Sequence, residues 1–157
     1  MSRKTSAFYN KKEEYVIYVL LSPTKKEFYI NHCRKASIRE TYRHNIKSRR
    51  YATEKFINDI YPNRPCLFVL EEANATVSDI YKYKLVWLKI FLTNGFESYN
   101  YQKMLDSTRE LHIKTKKLYE ERKDIDLKNI LSCENCFVQT YKHTLCPLKN
   151  NDFRNWF

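Results

Sequence analysis

Two tyrosines, an arginine and a histidine stand in an order that suits chemistry on a phosphate. Tyr18 lies in "VIY" and Tyr29 in "YIN", with ten residues between the two motifs; Arg39 follows Asn31 by eight positions and His44 follows Arg39 by five. A guanidinium offers a two-pronged donor for phosphate oxygens. An imidazole moves protons near neutral pH, and a phenol can position or deprotonate water when a nearby cation favours its ionised form. The elements that must bring these groups together are readable. Residues 15 to 21 and 27 to 32 are β-branched and aromatic and flank Ser22-Pro23-Thr24-Lys25-Lys26, which predicts an antiparallel hairpin. From Lys35 to about Lys47 the apolar residues Ile38, Tyr42 and Ile46 recur every fourth position, which predicts a helix. A hairpin presenting two phenols beside a helix presenting Arg39 and His44 would converge on one patch.

The same helix carries Lys35, Arg39 and Arg43 at spacings of four, and Lys47, Arg49 and Arg50 continue past its end. This basic side reads either as a phosphate-contacting ridge or as a solvated helix face. The whole chain of 157 residues has 29 Lys and Arg against 18 Asp and Glu, a formal charge of +11. Such a surplus attracts polyanions by counterion release, and the 13 tyrosines supply rings on which bases can stack. Nucleic acid, DNA before RNA, is the expected partner, with an acidic protein as the alternative. The single glycine, Gly95, excludes a glycine-rich phosphate loop, so any chemistry uses side chains. The charged start "MSRKTSAFYNKKEEY" does not suit a signal peptide, and the apolar runs at 15 to 21 and 85 to 92 are too short to span a bilayer. A soluble, cytoplasmic protein with no membrane contact is the expectation.

Beyond the first helix, a short helix is expected from Thr53 to Ile60, ending before Pro62, and "CLFVL" at 66 to 70 reads as a third, buried strand. Thr76 or Ser78 should cap a long helix that reaches about Thr93 and stops at Asn94-Gly95. Its apolar stripe is Val77, Ile80, Trp87 and Phe91, with Lys84 in the middle. A further helix is expected from Gln102 to Arg122. The order β, β, α, α, β, α predicts an α+β fold with a small, three-stranded, mostly antiparallel sheet flanked by helices. The expected divisions are a domain at 13–104, a helical extension at 105–132 and a tail at 133–157 rich in Cys and aromatic residues. In that tail Cys133, Cys136, His143 and Cys146 form C-x2-C-x6-H-x2-C, a donor set that suits zinc, with reduced thiols as the preferred reading because the spacing matches no familiar zinc class.

The succession "VIY", ten residues, "YIN", Arg39, His44, a third strand, a long helix and Asn100 in "NGFESYN" resembles the GIY-YIG endonucleases over residues 13 to 104. The resemblance implies that Tyr18 acts on or positions the attacking water, Tyr29 lines the same site, Arg39 steadies charge on the scissile phosphate and His44 assists proton transfer. It also implies Mg²⁺ or Mn²⁺ held by a glutamate of the long helix. Here the departures begin. Val16 and Asn31 replace the two motif glycines, and through "DIYKYKLVWLKIF" the glutamate falls on Lys84. An ammonium cannot ligate a hard cation. Lys84 in that place predicts contact with a phosphate oxygen and binding without cleavage. The alternatives are a lysine whose charge snorkels out, a deprotonated lysine with metal-free chemistry, an active endonuclease that takes its metal carboxylate from Glu71, Glu72, Asp79 or Glu97, and a protein-interaction module built on the scaffold.

Overall fold

The structure is a computed structural model that describes residues 11–47, 56, 65–98, 109–132 and 135–137, with side chains described for all of these except 43–47 and 109–114. Strand β1 spans Glu13–Leu21 and β2 spans Glu27–Arg34, joined by the Ser22 to Lys26 turn. Ser22 is fully buried, and its hydroxyl accepts hydrogen bonds from the amides of Thr24 (3.3 Å) and Lys25 (3.1 Å). That local contact closes the turn where Pro23 cannot donate. After a 3-10 turn at Lys35–Ser37 comes helix α1, Ile38–Lys47. Strand β3 is Cys66–Ala75, helix α2 is Val77–Thr93, β4 is the short Glu97–Ser98, α3 is Arg109–Arg122 and α4 is Leu127–Ile130. No helix among the described residues is long and apolar enough to cross a membrane.

The architecture is α+β, with a four-stranded mixed sheet in the order β3-β1-β2-β4. The expected three strands are corrected to four, because β4 adds to β2 in parallel through Glu27↔Glu97 and Phe28↔Ser98. A two-residue strand carries no readable alternation. It forms because α2 ends in a tight reversal: Asn94 N–H returns to the Ile90 and Phe91 carbonyls, Phe96 N–H to Phe91, and Gly95 takes φ 85°. That angle favours glycine. The reversal stacks Phe91 and Phe96 on Phe28, with ring centroids 5.0 to 6.3 Å apart. The third strand also runs five residues past the expected Leu70, through "EEANA", whose polar composition hides a strand paired on one edge.

β1 is buried on both faces from Tyr15 to Leu21 and pairs antiparallel with both neighbours. Side chains alternate along a strand, so the register sorts residues into two faces. Ile17, Val19 and Leu21 share one with Phe28, Ile30 and His32; Val16, Tyr18 and Leu20 share the other with Tyr29, Asn31 and Cys33. Helix α2 covers the first face, as Phe28 against Phe91 shows. Helix α1 covers the second, where Thr41 hydrogen-bonds the Cys33 thiol and Phe56 stacks on Tyr29. Tyr42 is buried on α1, and its hydroxyl donates to the Pro65 carbonyl at 3.2 Å.

A one-residue register shift between β1 and β3, at Ile17/Tyr18, leaves Leu70 as the extra residue. The bulge flips every later β3 residue to the other face. It turns Glu71 toward α2, where Trp87 Nε1 donates to Oε1 at 3.1 Å and Arg122 of α3 binds both oxygens at 2.6 and 3.1 Å. One carboxylate thereby ties a strand to two helices. Leu127, Leu131 and Cys136 join the same core as β1, so the residues after α3 pack with the sheet. Removing one partner of a half-hidden charged pair leaves the other desolvated, so Arg122→Ala should lower stability by about 1–3 kcal/mol. Urea unfolding checks this, with Arg122→Ala and Glu71→Gln combined expected to cost less than the sum of the two.

Candidate functional site

The anticipated residues that the structure describes have distinct positions. Tyr18 and Tyr29 share a sheet face, as the hairpin reading requires, but they differ in access. Tyr18 is 1% exposed in the centre of the sheet, and Tyr29 is 7% exposed on β2. Arg39 is exposed on α1. Lys35 begins the 3-10 turn, where its ammonium pairs with Glu72 at 2.9 Å. His44 and Arg43 lie on α1, with side chains outside the description, and Arg49, Arg50 and Asn100 lie outside the described residues.

β2 carries Tyr29, Asn31 and His32 along a partly uncovered edge. β4 pairs only with Glu27 and Phe28, so among the described residues the stretch from Tyr29 to Arg34 borders no outer strand. Tyr29 and Asn31 flank this edge from the α1 face, and His32 flanks it from the α2 face. Asn31 Nδ2 donates to the Tyr29 hydroxyl at 3.2 Å, and Asn31 Oδ1 accepts from the His32 backbone N–H at 2.8 Å. His32 packs edge-on against Tyr15, with centroids 5.6 Å apart, and its Nδ1 is buried with no hydrogen-bond partner.

Lys84 stands with His32. It is 5% exposed on the sheet-facing side of α2, its ammonium 5.7 Å from the centre of the Tyr81 ring. Burial pulls its pKa down from the usual 10.5 to about 8. Burial and then the Lys84 charge push His32 from 6.5 down to about 4. The imidazole is therefore neutral at physiological pH while the amine is mostly protonated. Sequence spacing singled out Lys84 but not His32. Its partnership requires the β1–β2 register and the seat of α2 on the sheet, and only the parity it shares with Ile30 hinted at its face.

The residues present do not fit a hard divalent cation on α2. The buried charged side chain of α2 is the Lys84 ammonium, which cannot ligate a cation, and Glu71 has its oxygens engaged by Arg122 and Trp87. Glu72 is paired with Lys35, Asp79 lies 3.6 Å from Lys82, and Glu97 is exposed on β4. For the zinc set, Cys136 is buried in the core, whereas Cys133, His143 and Cys146 lie outside the described residues. No group of three or more His, Cys, Asp or Glu side chains among the described residues could hold a metal. Comparison of the chain with protein families, with curated proteins and with solved structures finds no match to any of them.

The two shifted groups make stability depend on pH with a definite sign. Both have folded pKa values below their unfolded ones, so the unfolded chain binds more protons in the window between the two values and stability rises with pH there. Stability should fall from about pH 6.5 to 4 as His32 resists protonation, and His32→Leu should flatten that limb. The cost of burying the Lys84 charge is present below pH 8 and fades toward 10.5. Lys84→Met should therefore stabilise the fold at pH 7, on the order of 1–3 kcal/mol, with little gain near pH 10.5. Denaturant midpoints measured across pH test both limbs.

Proposed function

We propose that the chain is a GIY-YIG-like protein that binds DNA along the outer edge of β2 and the basic side of α1, and does not cut it by a metal-dependent route. The observation that carries this reading is the buried Lys84 ammonium beside neutral His32 on the α2 face of that edge. In an active relative of such a fold, a carboxylate at this position would recruit a metal; a fixed ammonium puts positive charge there directly. A phosphate at the edge would meet Lys84 and His32 from one face and the Tyr29 hydroxyl from the other, with exposed Arg39 offering its fork. Tyr18 at 1% exposure serves as core packing in this reading and does no proton transfer. The formal charge of +11 supplies long-range attraction to the backbone.

The test is an electrophoretic binding assay on duplex, branched and single-stranded DNA, with cleavage followed in Mg²⁺ and Mn²⁺. Affinity should drop at least about tenfold between 50 and 200 mM salt, as phosphate-dominated binding does. Arg39→Ala should weaken binding about tenfold or more, the worth of one charge-assisted contact. Lys84→Glu should weaken binding in EDTA and recover part of it in Mg²⁺. Cleavage by the wild type that disappears in Arg39→Ala would overturn the non-cleaving reading, and no binding at low salt would overturn DNA as partner.

A further inference from the structure

Asn31 stands where the resemblance expects a glycine, and its side chain makes two contacts that together have a direction. The His32 backbone N–H can only donate, so the Asn31 atom 2.8 Å away is the carbonyl oxygen Oδ1. The amide is thereby oriented, and its NH₂ is the group that faces the Tyr29 hydroxyl at 3.2 Å. An NH₂ has no acceptor lone pair, so Tyr29 oxygen must accept in this contact. The phenol's own hydrogen is then turned away from Asn31. The ring that carries it cannot swing freely, because it is 7% exposed and stacked on Phe56 with centroids 6.5 Å apart and planes 28° apart.

From this we infer that Asn31 is a positioning residue which holds the Tyr29 hydroxyl as a hydrogen-bond donor for a phosphate oxygen at the β2 edge. The inference rests on the DNA-binding reading above and adds the direction of one hydrogen bond to it. A glycine at position 31 could make neither contact. The chain thus replaces a small motif residue with one that polarises the neighbouring phenol: the amide's donation into the oxygen strengthens the hydroxyl as a donor, because linked hydrogen bonds reinforce one another. An apolar residue at 31 would leave the hydroxyl hydrogen undirected. An aspartate, accepting only, would draw that hydrogen inward.

A double-mutant cycle separates this role from a general structural one. DNA affinity is measured for wild type, Asn31→Ala, Tyr29→Phe and the pair, each checked for unchanged thermal unfolding. Asn31→Ala should weaken binding about fivefold when Tyr29 is present, the worth of one directed hydrogen bond, and have no further effect on Tyr29→Phe. Asn31→Asp should behave in the same way, with a larger loss in the Tyr29 background than in the Phe background. Equal losses in both backgrounds, or none, would overturn the inference while leaving DNA binding intact. A second probe does not need DNA. With 3-fluorotyrosine at position 29, inorganic pyrophosphate should move the ¹⁹F resonance of the Asn31 protein and leave that of Asn31→Ala where it was. An identical response in both, or no response in either, would refute the role even if DNA binding itself failed.

Discussion

The constraint on which the rest of this molecule depends is that β1 is paired on both edges and covered on both faces. Seven consecutive side chains from Tyr15 to Leu21 are buried, and each large apolar one contributes about 1.5–3 kcal/mol by leaving water. A strand buried this way cannot slip by one residue without exchanging every side chain between two differently shaped covers. Its register therefore decides the address of every functional group on β2. Tyr29 and Asn31 go to the α1 face because Leu20 and Tyr18 do, and His32 goes to the α2 face because Ile17 does.

The bulge at Leu70 does similar work for β3. In an unbroken register Glu71 would point toward α1 and Glu72 toward α2. The extra residue exchanges them, so Glu71 meets Trp87 and Arg122 while Glu72 meets Lys35 at the start of the 3-10 turn. A single local insertion thus commits one carboxylate to holding α2 and α3 on the sheet. That commitment also bears on chemistry, because a carboxylate whose oxygens are held by a guanidinium and an indole is poorly placed to ligate a cation.

Lys84 illustrates a trade between stability and charge placement. A buried ammonium is a cost to the fold, and the fall of its pKa to about 8 reports that cost. The same burial makes its charge act over a longer range, since little water screens it, and His32 registers this directly. A methionine at position 84 would pack with less cost. That a lysine stands there despite this cost is the physical ground for the binding reading proposed for it.

Much of the fold was legible because it is local. The hairpin follows from two β-branched runs around Pro23, and α2 from Thr76, which accepts the Asp79 amide at 3.2 Å, and from Asn94-Gly95 at its end. The 3.6-residue period turned Lys84 toward the sheet together with Ile80, Trp87 and Phe91. β4 and the outer half of β3 were not legible, since a two-residue strand has no period and "EEANA" has no apolar alternation. The candidate site was legible as residue types, two phenols and a guanidinium in order, but not as a place. By itself the sequence determined the hairpin, α2, the basic charge and the inward lysine, all of which follow from neighbours along the chain. Only the tertiary structure decided that Tyr18 is core, that His32 stands beside Lys84, that Asn31 points its amide at Tyr29 and that Glu71 is taken by Arg122. Those pairings depend on strand register and on how helices seat against the sheet, and both are set by contacts between residues far apart in sequence.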